Sequence, residues 1–534
     1  MKLENSRLVR IVATAAVSTL ALAGCATPGT PGTDDGSSAA SSAAHGPIGD
    51  QGEPGPPTKG GTLSFAPYSP VSSLDPTVTA ATGPTGGTEM AAVYDVLMRY
   101  DSDSQSFEPQ LAQSLEESPD RLTWTMRLRE GVRFSDGTPF DADAVVASID
   151  RYNTRRGLYS SMFTKMVDDT TAKDATTVEF RLGQPWRNFP AILAYGHGMI
   201  VAPSSQQGER FTPIGAGPFS VVNLRPQQEL ELKARPDYWG GEPHLDGLKF
   251  VAIPGEQPKI EALGTGGVQM IYLRNAETVN AATTKFPGFI ITNGMTTIGQ
   301  INSAPGRPGA DLRVRQAIAY AIDPEIIDQR ARNGQGIPGT DLFQPWSQWH
   351  GDTTGITPDP AKAKQLLDQA VAEGFDGKVT YVGINDPDAQ QVALAAQAQL
   401  NAVGFDATIE YAGSVPDMLR RLYADRNFDI ALGGYNVSDI DPEIRLFNAL
   451  HSTSNNLIGL KSPVMDGLLS DMLSASDTDA ERRALDEVQR FMNEEQPFLT
   501  WGAGRTYVAW SESVFGADPS IDQIILFDEA FIQD

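Results

Sequence analysis

From Asp359 to Tyr435 the chain reads as helix and strand in alternation, and this stretch constrains the fold more than any other. Asp359-Pro360 is an N-cap with proline at the first helical position, and the run AKAKQLLDQAVAEG ends at Gly374. KVTYVGI (378–384) has the length and β-branched content of a strand. The next helix carries Val392, Ala396, Leu400 and Val403 on one stripe and ends at Gly404; FDATIEY (405–411) returns as a strand. A strand, crossover helix and strand of this kind predict parallel pairing with a right-handed crossover. FDIALGGY (428–435) is apolar enough to be a third strand buried on both faces. The first half differs. Leu122, Trp124, Met126 and Leu128 alternate with Thr123, Thr125, Arg127 and Arg129, as in a half-buried strand. Ser135–Pro139 is a turn cluster, Val145 and Ile149 lie one turn apart on a helix, and TTVEFRL (176–182) and ELELKAR (229–235) are further strands. An α+β half followed by an α/β half predicts at least two lobes, as a length of 534 residues also does.

Before these halves, Lys2, Arg7 and Arg10 stand against Glu4 alone, and residues 11–23 are apolar and small. That run is too short for a membrane helix and right for the core of a signal sequence. It ends at Leu22-Ala23-Gly24-Cys25, which holds the only cysteine of the chain. A lone thiol forms no internal disulfide, and structural zinc sites use several clustered ligands. The four residues resemble a bacterial lipobox, in which the cysteine is diacylated after the leader is cut. The expectation is a lipoprotein signal peptide over 1–24, a lipid anchor at Cys25 and a flexible Gly/Pro/Ser/Thr-rich tether over 25–58, with the body held at the outer face of the cytoplasmic membrane. The alternative is a plain secretory signal with a chance cysteine.

The net charge of −26 argues against nucleic acid and anionic lipid surfaces as partners. No G-x-S-x-G, H-E-x-x-H or P-loop pattern occurs. GQGIPG (334–339) matches G-x-G-x-x-G but follows a helix, and Pro338 opposes a helix start, so it reads as a helix end and turn. DSDSQSFEPQLA (101–112) lacks the central glycine and closing glutamate of a calcium loop. His45, His197, His244, His350 and His451 are scattered, without partners at metal spacing. No catalytic residue, metal site or cofactor is expected.

Several runs together resemble the family 5 bacterial extracellular solute-binding proteins, the peptide/nickel class of ABC importer receptors. They are GGTLSFAPYSPVSSLDPT (60–77), VYDVLMRYD (93–101), MRLREGVRFSDGTPFDADAVVASIDR (126–151), PIGAGPFSV (213–221), ARPDYWGGEPHLDGLKF (234–250), DLRVRQAIAYAID (311–323) and DPAKAKQLLDQA (359–370). The resemblance implies an α/β, two-lobed periplasmic-binding-protein-like fold (type II) with an extra α+β domain. Lobe I is expected over 59–97, 206–293 and 500–534, the extra domain over 98–205, and lobe III over 294–499. It implies a monomer whose two lobes close on a ligand by a hinge and then dock on a membrane permease. Ligands in open α/β lobes sit at the carboxyl ends of strands, which points to NVSDIDPE (436–443), after Tyr435. Peptide-binding members carry an aromatic there and then an aspartate four residues before the proline, which pairs with the peptide α-ammonium. Here the fourth residue before Pro442 is Ser438, and the aspartate is Asp439. Asp439 reaches the ammonium through a shifted loop, or Ser438 serves a ligand without a free amine, or Asp439 is an ordinary turn residue; Asp441 reads as an N-cap. Tyr435, Asn436 and Tyr68 are the other candidate ligand contacts. The competing readings are core packing for the tyrosines and a bond within its own loop for Asn436, with Trp346 and Trp501 ranked lower as core or rim residues. The implied function is a non-catalytic receptor for di- and oligopeptides. The alternatives are the same role for a glycoside, opine or metal chelate, an envelope hydrolase, or a structural lipoprotein without ligand.

Overall fold

A computed structural model describes residues 45–533 apart from 414–416, 419 and 455. The expected leader, Cys25 and the first part of the tether lie outside the described residues. The tether was expected to run to residue 58, but from Gly46 the chain is bound to the body. Residues 46–48 pair with a long strand at 288–290, Trp510 Nε1 donates to Gln51 Oε1 (2.8 Å), and Thr58 Oγ1 donates to the Ile532 carbonyl (2.6 Å). A Gly/Pro-rich composition does not prevent a short edge strand from taking up a free sheet edge.

Twelve strands form the principal sheet: β1 (Gly46–Ile48), β2 (Thr62–Ala66), β3 (Phe219–Arg225), β4 (Glu229–Ala234), β5 (Gly247–Val251), β6 (Met270–Leu273), β7 (Gly288–Ile301), β8 (Ile337–Pro338), β9 (Lys378–Ile384), β10 (Asp406–Ala412), β11 (Ile430–Gly433) and β12 (Phe498–Trp510). Their order is β3-β4-β5-β2-β6-β12-β7-β11-β9-β10, with β1 on β7 and β8 on β12. β5, β2 and β6 run parallel on one side, and β11, β9 and β10 run parallel on the other. Between them β7 and β12 pair antiparallel from Gly288↔Ala509 to Gln300↔Phe498 and are common to both halves.

The strand–helix–strand unit forms as its sequence predicts. Asp386 caps the helix Pro387–Val403 through the amides of Asp388 and Ala389. The helix stops at Gly404, whose φ of 111° is open to glycine, and β10 returns in parallel register, Lys378↔Asp406. Val392, Ala396, Leu400 and Val403 are all buried, against Val379, Tyr381 and Ile430. The GQGIPG turn follows an αL helix end at Asn333, and its Ile337-Pro338 becomes β8.

Residues 112–182 build a separate four-stranded antiparallel sheet, ordered 112–117, 123–128, 177–182, 167–174. Trp124, Met126 and Leu128 face inward, and the helix Ala142–Thr154, capped by Asp141, buries Val145 and Ile149. Among the described residues no helix is long and apolar enough to cross a membrane.

Candidate functional site

A cavity of about 1210 Å³ opens where the two parallel sets of strands end. Pro67–Pro70 follow β2 and Arg274–Thr278 follow β6 on one wall; Asp386 and Asp388 follow β9, and Gly433, Gly434 and Asn436 lie at and just after the end of β11, on the other. Thr296 and Thr297 of β7 and Ala503–Arg505 of β12 also line it. Two opposed pairs of parallel strands thus direct their carboxyl ends at one space, the usual place for ligands in open α/β sheets.

The wall is shaped by a bulge. The β7–β12 register shifts between Asn293 and Thr297. The loop after β11 is sewn onto that bulge: Tyr435 N donates to Met295 O (2.9 Å), Val437 N to Gly294 O (2.9 Å) and Gly294 N to Val437 O (2.8 Å). Pairing of this kind sends alternate residues to opposite sides. Tyr435 packs into the core, its ring 5.4 Å from Phe498, and Val437 is buried. Asn436, at φ 49°, lines the cavity, and its Oδ1 is buried without a hydrogen-bond partner.

Of the five residues expected to contact a ligand, Tyr68 and Asn436 line the cavity, and Tyr435, Ser438 and Asp439 do not. Ser438 is buried and its Oγ accepts from Ile440 N (3.0 Å), a bond within its own loop. Asp439 is committed internally: Oδ1 accepts from Ser347 Oγ (2.6 Å), Oδ2 from Gln348 N (3.1 Å), and its carbonyl from Trp349 Nε1 (2.8 Å). Asp441 stands at the N-cap position of the helix Pro442–Leu450 but bonds no helix amide. Its Oδ2 accepts from the Tyr195 hydroxyl (2.8 Å), and full burial pushes its pKa up to about 7. Trp501 is core and Trp346 is half-buried; neither lines the cavity.

The cations of the cavity were not singled out from sequence. Arg274 lays its guanidinium 4.9 Å from the centre of the Tyr68 ring. Arg332 is held by Thr297 Oγ1 (2.8 Å) and Asp328 (3.8 Å). Lys259 Nζ donates to Pro67 O (2.6 Å), bracing the loop of Tyr68, and burial pulls its pKa down to about 8. The Arg505 side chain makes no hydrogen bond or ion pair among the described residues, and burial alone lowers its pKa. Two signals were available: Arg274 directly follows the apolar strand MIYL, and Arg505 is the only charge between Gln496 and Ser511.

The acids are mostly occupied. Glu256 accepts from the amides of Arg274 and Asn275 and from the Thr278 hydroxyl; Asp386 caps its helix; Asp388 accepts from Asn275 Nδ2 (2.7 Å). Glu277, at the exposed rim, is the one lining carboxylate without such a bond among the described residues. No group of three or more His, Cys, Asp or Glu positioned to hold a metal occurs among the described residues.

The dipeptide-binding protein of Escherichia coli (strain K12) is 27% identical over 363 residues, 61% of this chain and 67% of that protein. The glutathione-binding protein GsiB of Salmonella paratyphi A is 26% identical over 445 residues, 79% of this chain and 85% of that protein. The periplasmic binding protein AgaA of Agrobacterium tumefaciens R10, solved with agropinic acid, superposes with a TM-score of 0.76 at 23% identity, over 89% of this chain and 99% of that one. This likeness extends to the two-lobed fold. The model of bacterial extracellular solute-binding proteins, family 5, middle, matches residues 106–456, about two-thirds of the sequence, and it is to this family of solute-binding proteins that the chain belongs.

Proposed function

We propose that the protein is the extracytoplasmic receptor of an ABC importer, which captures di- and oligopeptides in the cavity and delivers them to a membrane permease. The observation that carries the reading is the cavity itself. It is walled by the carboxyl ends of two opposed sets of parallel strands, with β7 and β12 running between the sets. A body of this kind opens and closes about the shared strands, and a ligand favours closure by binding the closed form better. Lobe I is 59–97, 206–293 and 500–534, the extra domain 98–205 and lobe III 294–499; the moving bodies are lobes I and III. Relatives named for dipeptide and glutathione support a peptide ligand. The unpartnered Asn436 Oδ1 suits an amide N–H of such a chain. The receptor acts without catalysis, and acyl chains on Cys25 hold it at the outer face of the cytoplasmic membrane.

A second reading keeps the receptor role for a non-peptide solute. It is favoured by Asp439, whose carboxylate is engaged by Ser347 and Gln348 rather than presented to the cavity. Mass spectrometry of the solute released on denaturing the purified protein tests both. An intact peptide supports the first reading and an intact non-peptide the second. Cleavage of added peptides, or a melting temperature unmoved by a broad peptide library together with no retained solute, would sink the receptor role.

A further inference from the structure

The four acids and four cations that line the cavity are equal in number, but they are not equally partnered. Of the acids that line it, Glu256, Asp386 and Asp388 are each bound to donors of the protein, and Glu277 stands in solvent at the rim. Of the cations, Arg332 has Asp328 and Thr297, and Lys259 has two backbone carbonyls. Arg274 and Arg505 are left. Among the described residues the Arg274 side chain has only the face of Tyr68, and the Arg505 side chain has no polar partner. They come from opposite surroundings: Arg274 from the loop at the end of β6, Arg505 from the strand shared by the two halves.

A partly buried guanidinium without a counter-charge is costly, because its lost hydration is not replaced. In Arg505 that cost is visible as a pKa lowered by desolvation with no opposing carboxylate. The planar guanidinium presents its N–H groups in the fork that a carboxylate fits. Glycine is frequent in this region: Gly504 precedes Arg505, Gly504 and Gly434 both lie against Thr296, and Gly433, Gly434 and Gly504 line the same cavity as Arg505. Asn436 adds a carboxamide oxygen with no donor. The conventional amine anchor is missing from this set, because the Asp439 carboxylate is engaged by Ser347 and Gln348.

Building on the receptor reading above, we propose that the cavity selects its solute by a carboxylate, held by Arg505 with Arg274, and not by an α-ammonium. The preferred ligands are then peptides or peptide-like acids whose amino end is free, acylated or absent, with an N–H donor near Asn436.

The test uses the purified full chain and three sets of the same di- and tripeptides: free acids, N-acetyl acids and C-terminal amides. Binding is read by melting temperature and by calorimetric titration. Free acids and N-acetyl acids are expected to bind alike, and amides roughly ten- to a hundredfold more weakly, the range of one charge-assisted hydrogen bond. Arg505→Gln is expected to reduce the acids to the affinity of the amides while the unliganded melting temperature holds; Arg274→Gln, at the more open wall, serves as the second variant. Amides that bind as well as acids, acetylation that abolishes binding, or an acid preference that survives both substitutions overturns the proposal and leaves the receptor reading in place. No binding in any of the three sets overturns the peptide reading and the carboxylate proposal with it.

Discussion

Glu89 lies on the helix Gly87–Tyr94 with 1% of its surface exposed and both carboxylate oxygens unpartnered. Burial raises its pKa from the ordinary value near 4.5 to about 7. The folded state therefore holds a proton that the unfolded state releases. The stabilising contribution is complete below pH 4.5 and is lost as pH rises through 7, by about 3 kcal/mol at the limit. Asp95 and Asp441, both raised to about 7, act in the same direction. Glu89→Gln, which is uncharged at every pH, should raise the melting temperature at pH 8 and change it little at pH 4.5; equal effects at both pH values would exclude this account. Asp439 carries a second prediction. Its carboxylate and carbonyl join the 347–349 segment to the loop after β11. Asp439→Ala should cost about 1–3 kcal/mol of stability, the price of unsatisfied buried partners, and leave ligand affinity unchanged. A loss of affinity at constant melting temperature would return Asp439 to the ligand site. An acidic residue one position out of place was legible in the sequence, but its use depended on Ser347, 92 residues away, which no local pattern connects to it.

The helices and strands of 359–433 were legible because each carries its own start and stop signals. Asp359-Pro360 and Asp386-Pro387 begin helices, and Gly404 ends one in the αL conformation. The long pair β7 and β12 was not legible from patterning. Residues 288–301 are buried almost throughout, so they show no alternation, and their partner lies some 200 residues on. The boundaries expected at 293/294 and 499/500 fall inside these two strands, where the chain passes from one half to the other without a turn. The bulge at 294–297, which sets Asn436 toward the cavity and Tyr435 away from it, is marked in the sequence only by Asn293-Gly294, a dipeptide that reads as a turn and not as a bulge within a long strand. It depends on close backbone approach at Gly434, where an added Cβ would stand 2.4 Å from the Thr296 carbonyl. Backbone on both sides leaves no flexible atom to yield. Gly434→Ala should therefore cost about 1–3 kcal/mol and weaken ligand binding together with stability, since Thr296 and Thr297 line the cavity. A melting temperature unchanged by this substitution would show that the bulge relaxes freely.

At the scale of the molecule, the two walls of the cavity touch through polar side chains. Asn275 Nδ2 donates to Asp388 Oδ2 at 2.7 Å, and Asn280 Nδ2 to Gln335 Oε1 at 3.3 Å. Each pair joins the helix Ala276–Thr283, or its cap, to an element beyond β7: the helix Pro387–Val403 or the turn before β8. Bonds that join the walls exist only when the walls are close, so they favour a closed body over an open one whatever the ligand. Their effect on the open–closed ratio is bounded by the net worth of a hydrogen bond, about 0.5–1.5 kcal/mol, since Asp388 is solvent-exposed. That is small enough for a ligand to govern the equilibrium and large enough to lower apparent affinity when removed, because affinity falls in proportion to the closed population. Asp388→Ala leaves the cap of its helix, which is Asp386, in place. It should lower apparent ligand affinity by about two- to tenfold, raise the radius of gyration of the unliganded protein in solution scattering, and leave the liganded radius unchanged. If affinity and both radii stay at their original values, the two walls are held together by other contacts, and the polar pairs have no part in closure.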